Sequence, residues 1–290
     1  MNLVVGATGM VGGAIVRGLV ERGEPVRAMA RDASSETALR EAGAEPFRGD
    51  LKDPESVAAA CRGVSTVITT ANSAGRGGDD TVETVDLEGN RHLVEAAAQS
   101  GVEHFIFVSA QGEDPDSPVP FLRAKGLTSQ QLRRSGMGYT VLLPDFYMDV
   151  WIPLVVLRPV QAGRPVSIVG GGQRRHYCVA ARDVAGLAVG CVGNDAALNR
   201  DFLVGGPEAL SWSDIISTFE RVNAVEVEVQ SHDPGAPMPG FPDAVAGLMA
   251  SLEAYDSPPP LSQSDAESIF GVRLTTVEDF LSGFLSRKST

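Results

Sequence analysis

The residues best typed and spaced for chemistry stand at the head of the chain, in Gly6-Ala7-Thr8-Gly9-Met10-Val11-Gly12-Gly13. Glycine at 6, 9 and 12 lets backbone turn tightly, approach a pyrophosphate, and pack a following helix close to a preceding strand. The apolar run Leu3, Val4 and Val5 reads as a buried strand, and 14–20 reads as a helix. The glycines therefore fall on the turn between them. A helix N-terminus there offers unpaired N–H groups to phosphate oxygens. The loop predicts a dinucleotide site held by Gly6, Thr8, Gly9, Met10, Val11 and Gly12. About 20 residues further on comes the position where an acid would bond the adenosine ribose of NAD and a base would accept the 2′-phosphate of NADP. Arg31 stands there, with Asp32 beside it, so NADPH is expected ahead of NADH.

An alternation of strand and helix must position these residues. Apolar, β-branched runs predict strands over 25–30, 45–48, 65–70, 104–108 and 139–143, and the stretches between them carry helical periodicity over 34–42, 54–62, 81–100 and 121–135. Asp53 is the expected cap of the 54–62 helix, with Pro54 at its first position. This order predicts an α/β fold, a doubly wound parallel sheet of the Rossmann type with right-handed crossovers. Loops leaving the carboxyl ends of such strands line the ligand crevice. Asp50, Leu51, Thr70, Ala71 and Asn72 are thereby expected near adenine and its ribose, although Asp50 reads equally well as a turn acid. Pro144 and Phe146 leave the sixth strand at the same end, whereas His104 starts the fifth strand at the opposite end and reads as structural.

Beyond residue 144 the pattern loosens. Partial helix is expected over 149–161, strands over 166–169, 201–204 and 225–229, helices over 182–192 and 243–252, a loop over 232–242, and a C-terminal helical pair. The domain reading is a Rossmann domain over 1–150, to which 180–205 returns, and a smaller α+β region over 151–290 that mainly binds substrate.

Composition narrows the partners. A formal charge of −13 repels nucleic acid and anionic membrane surfaces. The apolar stretch 152–160 is too short to span a bilayer and is broken by Pro153 and Pro159, and no other run approaches spanning length. Cys61, Cys178 and Cys191 have no paired spacing and read as buried hydrophobes of a reducing compartment. The chain opens on a strand without a basic leader, so a cytoplasmic monomer or homodimer is expected. His92, His104, His176 and His232 lack metal-ligand spacing and no Gly-x-Ser-x-Gly elbow occurs, so neither metal nor triad chemistry is expected.

The glycine loop, Gly49-Asp50-Leu51, Phe107-Val108-Ser109, the helix with Lys125, Tyr139-Thr140-Val141-Leu142-Leu143-Pro144 and Arg182-Asp183-Val184-Ala185 follow one another as in NmrA-like proteins. So do the closing Asp265-Ala266-Glu267 and Thr276-Val277-Glu278-Asp279-Phe280. The chain thus resembles this atypical branch of the short-chain dehydrogenase/reductase superfamily over nearly its whole length. The resemblance implies NAD(P)-dependent reduction of quinones, dyes, aromatic ketones or isoflavonoid-like substrates, or coenzyme binding without chemistry.

Most short-chain dehydrogenases pair a Tyr-x-x-x-Lys helix with a Ser at the preceding strand end. Here Ser109 and Lys125 stand at those positions, but Phe121 replaces the Tyr. A phenyl ring gives no proton to a developing alkoxide, which argues against tyrosine-dependent ketone reduction. Lys125, one turn beyond Phe121, still shares its helix face. The resemblance implies that it binds the nicotinamide ribose; proton transfer and a solvated helix lysine are the alternatives. Ser109 either orients a carbonyl or serves as a backbone partner. A substrate pocket is expected from Phe121, Phe146, Tyr147, Met148, Trp151, Arg175 and His176, suited to a flat apolar or aromatic molecule, with His176 or Tyr147 as stand-in proton donors. The expected function is NADPH-dependent reduction of a quinone-like or aromatic, polyketide-like molecule. The alternatives are a non-catalytic NADP-binding redox sensor, and a carbonyl reductase or tailoring enzyme with a replacement acid.

Overall fold

Short buried apolar runs separated by capped helices set the order of elements. The computed structural model describes residues 1–286 apart from 239 and 242, so two positions of the expected 232–242 loop lie outside the described residues. In chain order, β1 (Asn2–Val5), α1 (Met10–Glu21), β2 (Val26–Ala30), α2 (Ala33–Glu41), β3 (Glu45–Arg48), α3 (Pro54–Cys61) and β4 (Thr66–Thr69) alternate. A π-helix (Val82–Gly89) runs into α4 (Asn90–Gln99), then β5 (His104–Val108), α5 (Pro120–Arg134) and β6 (Gly138–Pro144) follow. Next come α6 (Met148–Ile152), a second π-helix (Pro153–Leu157), α7 (Arg158–Gln161), β7 (Val166–Val169), α8 (Ala181–Cys191) and β8 (Arg200–Val204). The chain continues with α9 (Trp212–Asn223), β9 (Val229–His232), α10 (Asp243–Leu252), α11 (Gln263–Phe270) and α12 (Val277–Ser286).

Two compact units result. The first holds Met1–Pro144, Ala181–Leu203 and Ser264–Val272; the second holds Asp145–Ala180, Val204–Gln263 and the chain from Arg273 onward. The segment Ser264–Val272 belongs to the first unit, a return that the sequence reading did not include.

In the first unit a seven-stranded sheet runs β3-β2-β1-β4-β5-β6-β8. β1 pairs in parallel with β2 and β4, and the register Val4↔Ile68↔Ile106 keeps the strand ends level. Alternation then decides what each face buries. Leu3, Val5, Val67, Phe105 and Phe107 join one core cluster, packed with Val57, Leu93 and Leu132 from the flanking helices. A one-residue slip would turn that whole set to the other face, so the register is tightly specified. Strand order reverses between β1 and β4, the place where α/β sheets open a crevice. Asp53 caps α3 by accepting from the Glu55 amide, with Pro54 at the first helical position, as the sequence predicts.

The expected single helix over 81–100 differs in its first half. Residues Val82–Gly89 form a π-helix opened by a capping box in which Thr81 and Thr84 bond each other's amides. Buried polar groups account for the wider turn: Asn90 Nδ2 donates to the carbonyls of Val85 and Asp86, at 3.2 and 3.1 Å.

The second unit has its own core of Phe146, Ile152, Val155, Val166, Ile168, Trp212, Ile215 and Phe219. Its two strands, β7 and β9, pair in parallel from Val166↔Val229 to Val169↔His232. The strand expected over 225–229 therefore begins where it was expected to end. The helix before it takes those amides. Ala224 is left-handed at φ 52°, Val225 N–H closes on Glu220 O at 3.2 Å, and Val227 N–H donates to Glu220 Oε1 at 2.9 Å. All three cysteines are buried free thiols. No helix among the described residues is long and apolar enough to cross a membrane.

Candidate functional site

The glycine turn leaves β1 with Gly6 at φ +82°, a left-handed conformation that favours glycine. Gly12 is excluded from any other identity by distance: a Cβ there would lie 2.1 Å from the Gly6 carbonyl oxygen. Gly9 N–H donates to that oxygen at 2.9 Å, which fixes the turn. No side chain caps α1 and its first turn carries no acid, so its leading amides stay available to an anion. Next to this turn lies a cleft lined by Gly6, Thr8, Arg31, Asp50, Leu51 and Ala71. Val5, Met29, Ala30 and Val85 supply its apolar wall.

Of the other expected coenzyme contacts, Asp50 lines that cleft, whereas Thr70, Asn72, Met10, Val11 and Pro144 lie at the ends of β4 and β6 or at the start of α1. Thr70 Oγ1 packs where a Cβ on Gly6 would meet it at 2.7 Å, and Asn72 folds the β4 exit by donating to Thr70 O at 3.3 Å. Met10 is exposed and Val11 buried on the first turn of α1. Asp50 Oδ1 accepts from Lys52 N at 2.9 Å, a turn-forming bond, while remaining in the cleft wall. Asp32 caps α2, and bonds from Ser34 and Ser35 lower its pKa to about 2. Pro144 ends β6, its carbonyl bound by Gln111 N–H at 2.9 Å.

Lys125 lies on α5 with its side chain only 2% exposed. Its Nζ is 3.5 Å from Val108 O, 4.0 Å from Asp86 Oδ1, and 4.9 and 5.5 Å from the ring centres of Phe107 and Phe121. Burial pushes its pKa down, against the pull of Asp86 and Glu113. The two aromatic faces compensate part of the lost hydration, at about 1–2 kcal/mol for a desolvated cation–π contact. Three ammonium donors with one long bond leave Lys125 capacity for ligand hydroxyls. Asp86 is buried as well; its Oδ2 accepts from Ser73 N and Oγ, at 2.9 and 2.6 Å, and its Oδ1 has no hydrogen-bond partner. Ser109, leaving β5, donates its hydroxyl to Glu113, which also accepts from Ser129 Oγ at 2.6 Å and Arg133 Nη2 at 3.3 Å.

The remaining expected pocket residues belong to the second unit. Phe146 stacks on Trp151 at 5.7 Å and meets Trp212 edge-on at 5.1 Å, and Met148 is buried in the same core. His176 has both ring nitrogens engaged: Nε2–H donates to Leu252 O at 2.9 Å, and Nδ1 lies 2.7 Å from Ser257 Oγ. Arg175 is exposed and donates to Ala209 O at 2.8 Å. Burial raises the pKa of Tyr147, so that hydroxyl keeps its proton. Among the described residues, no cluster of His, Cys, Asp and Glu is arranged to hold a metal ion.

A turn that admits no side chain at Gly6 or Gly12, an uncapped helix start and Arg31 in the wall of the adjoining cleft together fit a dinucleotide. A family model described as NAD(P)H-binding matches residues 6–195, which begin at this turn and extend past Ser109 and Lys125. The chain belongs to the NAD(P)H-binding family. It is 30% identical over 263 residues to an NAD(P)H azoreductase of Xenophilus azovorans, covering 89% of this chain and 88% of that one. It is 32% identical over 229 residues to the photosystem II assembly factor Ycf39 of Cyanophora paradoxa, covering 78% of this chain and 70% of the relative. Its fold matches the Escherichia coli NADPH-dependent quinone oxidoreductase complexed with NADPH, at TM-score 0.80 and 19% identity, over 98% of this chain and 100% of that one. The resemblance to NmrA-like, atypical short-chain dehydrogenases read from the motifs stands with these matches.

Sequence reasoning passed over Lys52, Arg76, Asp80, Asp86 and Glu113. Asp86 carried a signal, as an acid on the sheet-facing side of an amphipathic helix beside Val85. The others lie on loops or beside them, where no period marks a residue as buried.

Proposed function

We propose that this chain is an NADPH-dependent reductase of flat, electron-poor aromatic molecules, of which quinone-like substrates are the type. Gly6, Gly9 and Gly12 with the first turn of α1 hold the pyrophosphate, Arg31 binds the 2′-phosphate, and Lys125 bonds the nicotinamide ribose. When bound, the coenzyme supplies the reducing equivalent, delivered as hydride to an electrophilic atom of the substrate. The chain's own contribution is position and polarity. The observation that carries this reading is Phe121 packed against the Lys125 ammonium at 5.5 Å. That face keeps a coenzyme-binding cation and presents no phenolic proton. Ser109 is committed as a donor to Glu113, so it too lacks a free proton for a substrate oxygen. A quinone tolerates this, because its reduced oxygens are stabilised by the ring and collect protons from water. The azoreductase relative supports a reductase of conjugated substrates.

The test is NADPH oxidation across a panel of quinones and azo dyes, followed at the coenzyme's absorbance band. Turnover with quinones and none with simple aliphatic ketones is the expected result. No oxidation with any member of the panel, with NADPH binding intact, would favour a second reading: a coenzyme-binding protein without turnover. Phe121 and the similarity to an assembly factor support that reading.

A further inference from the structure

In the coenzyme cleft the cation assigned to the 2′-phosphate already has an anion on it. Arg31 Nη1 lies 2.6 Å from Asp80 Oδ2, and Lys52 Nζ lies 2.7 Å from Asp80 Oδ1. Arg76 Nη1 approaches the same carboxylate at 3.7 Å. One oxygen to the arginine and the other to the lysine is how a phosphate group would bridge them. The Asp80 side chain is 6% exposed, whereas Arg31, Lys52 and Arg76 are 44, 29 and 29% exposed, so the acid sits inside a ring of cations. The hydrogen bonds from Lys52 and Arg31 hold its pKa down at about 2, which keeps it an anion at any physiological pH.

Two anions cannot share these donors. A phosphate within bonding distance of Arg31 Nη1 and Lys52 Nζ would contact the Asp80 oxygens, and like charges that close repel by several kcal/mol even at a surface-like effective dielectric. The chain before Asp80 is rich in glycine, and the Asp80 amide donates to Gly77 O at 3.3 Å. The preceding loop turns through Gly75, Gly77 and Gly78 at φ +73°, +85° and +63°, with open space where their side chains would be. On its other side, Thr81 and Thr84 lock the start of the π-helix by a capping box, and Thr84 Oγ1 donates to Asp79 O at 2.6 Å, so a competing anion would have to move the Asp80 side chain rather than the helix.

We infer that Asp80 is a built-in competitor for the coenzyme's 2′-phosphate, occupying the Arg31–Lys52–Arg76 site until NADPH displaces it. This rests on the reading of the cleft as an NADPH site. Asp80 holds the cations together in the free protein, and it lowers the apparent affinity for NADPH by the fraction of time it spends in the site. NADH has no 2′-phosphate and is not subject to that competition.

Calorimetric titration of the full chain and of Asp80→Asn with NADPH and with NADH tests the inference. The expected result is about a tenfold or greater fall in the NADPH Kd on substitution, with the NADH Kd within about twofold. The ligand-free variant melts lower than the parent, because its cations lose their counter-ion, and NADPH raises its Tm by more than it raises the parent's. Asp80→Ser, neutral and shorter, carries the same expectations and guards against a folding defect peculiar to Asn. An unchanged or weakened NADPH Kd in both variants, with the parent binding both coenzymes, overturns the competitor role and leaves the coenzyme reading intact. Equal weakening of NADPH and NADH assigns Asp80 a purely structural part and overturns it likewise. Absence of binding of either coenzyme to parent and variants overturns the coenzyme reading, and the inference with it.

Discussion

Arg31 and Lys125 are both cations at the carboxyl edge of one sheet, yet the protein surrounds them differently. Arg31 is 44% exposed and bonds a carboxylate with Lys52 and Arg76 close by. Lys125 is 2% exposed, 4.0 Å from a fully buried Asp86 and flanked by two phenyl rings. Water screens the first cluster, so exchanging one anion for another costs little there. Around Lys125 nothing screens, and any change of charge must be compensated on the spot. The Arg31 cluster is thus suited to exchange, and the surroundings of Lys125 to a fixed charge.

The largest effect on this comparison is expected from filling the glycine turn beside the Arg31 cleft. Gly12→Ala puts a methyl group 2.1 Å from the Gly6 carbonyl oxygen. It is expected to destabilise the fold by about 3 kcal/mol and to weaken both coenzymes by about 100-fold or more, read by thermal melts and calorimetry. Wild-type affinity in that variant would show that the turn does not carry the pyrophosphate.

Lys125→Met probes the buried end. It is expected to weaken coenzyme binding by about 10- to 100-fold and to lower the Tm, because Asp86 is left as an uncompensated buried acid. Adding Asp86→Asn should restore the Tm without restoring affinity. Recovery of both together would mean that Lys125 acts only through the fold. A fall in kcat at unchanged coenzyme Kd would instead point to proton transfer.

At the exposed end, Arg31→Ala should weaken NADPH about tenfold and NADH barely. Equal losses in a side-by-side titration would reject the 2′-phosphate role.

The smallest effect lies at the far end of the strand that carries Ser109. His104 is buried, its Nε2 2.8 Å from Thr140 Oγ1, and burial lowers its pKa from 6.5 to about 4. The folded state keeps it neutral while the unfolded chain takes up a proton below pH 6.5. Its contribution is therefore complete above that value and is lost as pH falls towards 4, the loss amounting to about 1–2 kcal/mol at pH 5.5. His104→Gln should flatten this part of the stability profile in urea titrations between pH 4 and 6.5, whatever it does to stability at pH 8.

What the sequence disclosed follows the same division. The glycine turn, the strand ends and the position of Arg31 were legible because backbone geometry at Gly6 and Gly12 permits few other residues, and because apolar runs such as Phe105-Ile106-Phe107 have no other place to go. The π-helical stretch and the ladder of β9 were not legible. Both are decided by single distant or local bonds, from Asn90 to two carbonyls and from Glu220 to the amides of residues 225 and 227. Asp80 was not legible as a site residue, because nothing in its neighbours announces that Arg31, 49 positions earlier, is its partner. Long-range ion pairs leave no periodic trace.

The wide turn at Val82–Gly89 has a consequence for how this chain tolerates change in length. A π-helix holds one residue more than the α-helix it interrupts, and each α-helical residue advances the chain by about 100°. Losing a single amino acid from this stretch would let it relax to ordinary winding while α4 stays seated against the sheet. The residues that join β4 to this stretch, Asp80 included, would then be swung about the helix axis and away from Lys52. If Asp80 competes with the 2′-phosphate as proposed, deleting one codon here is expected to tighten NADPH relative to NADH with Arg31 and Lys52 unaltered.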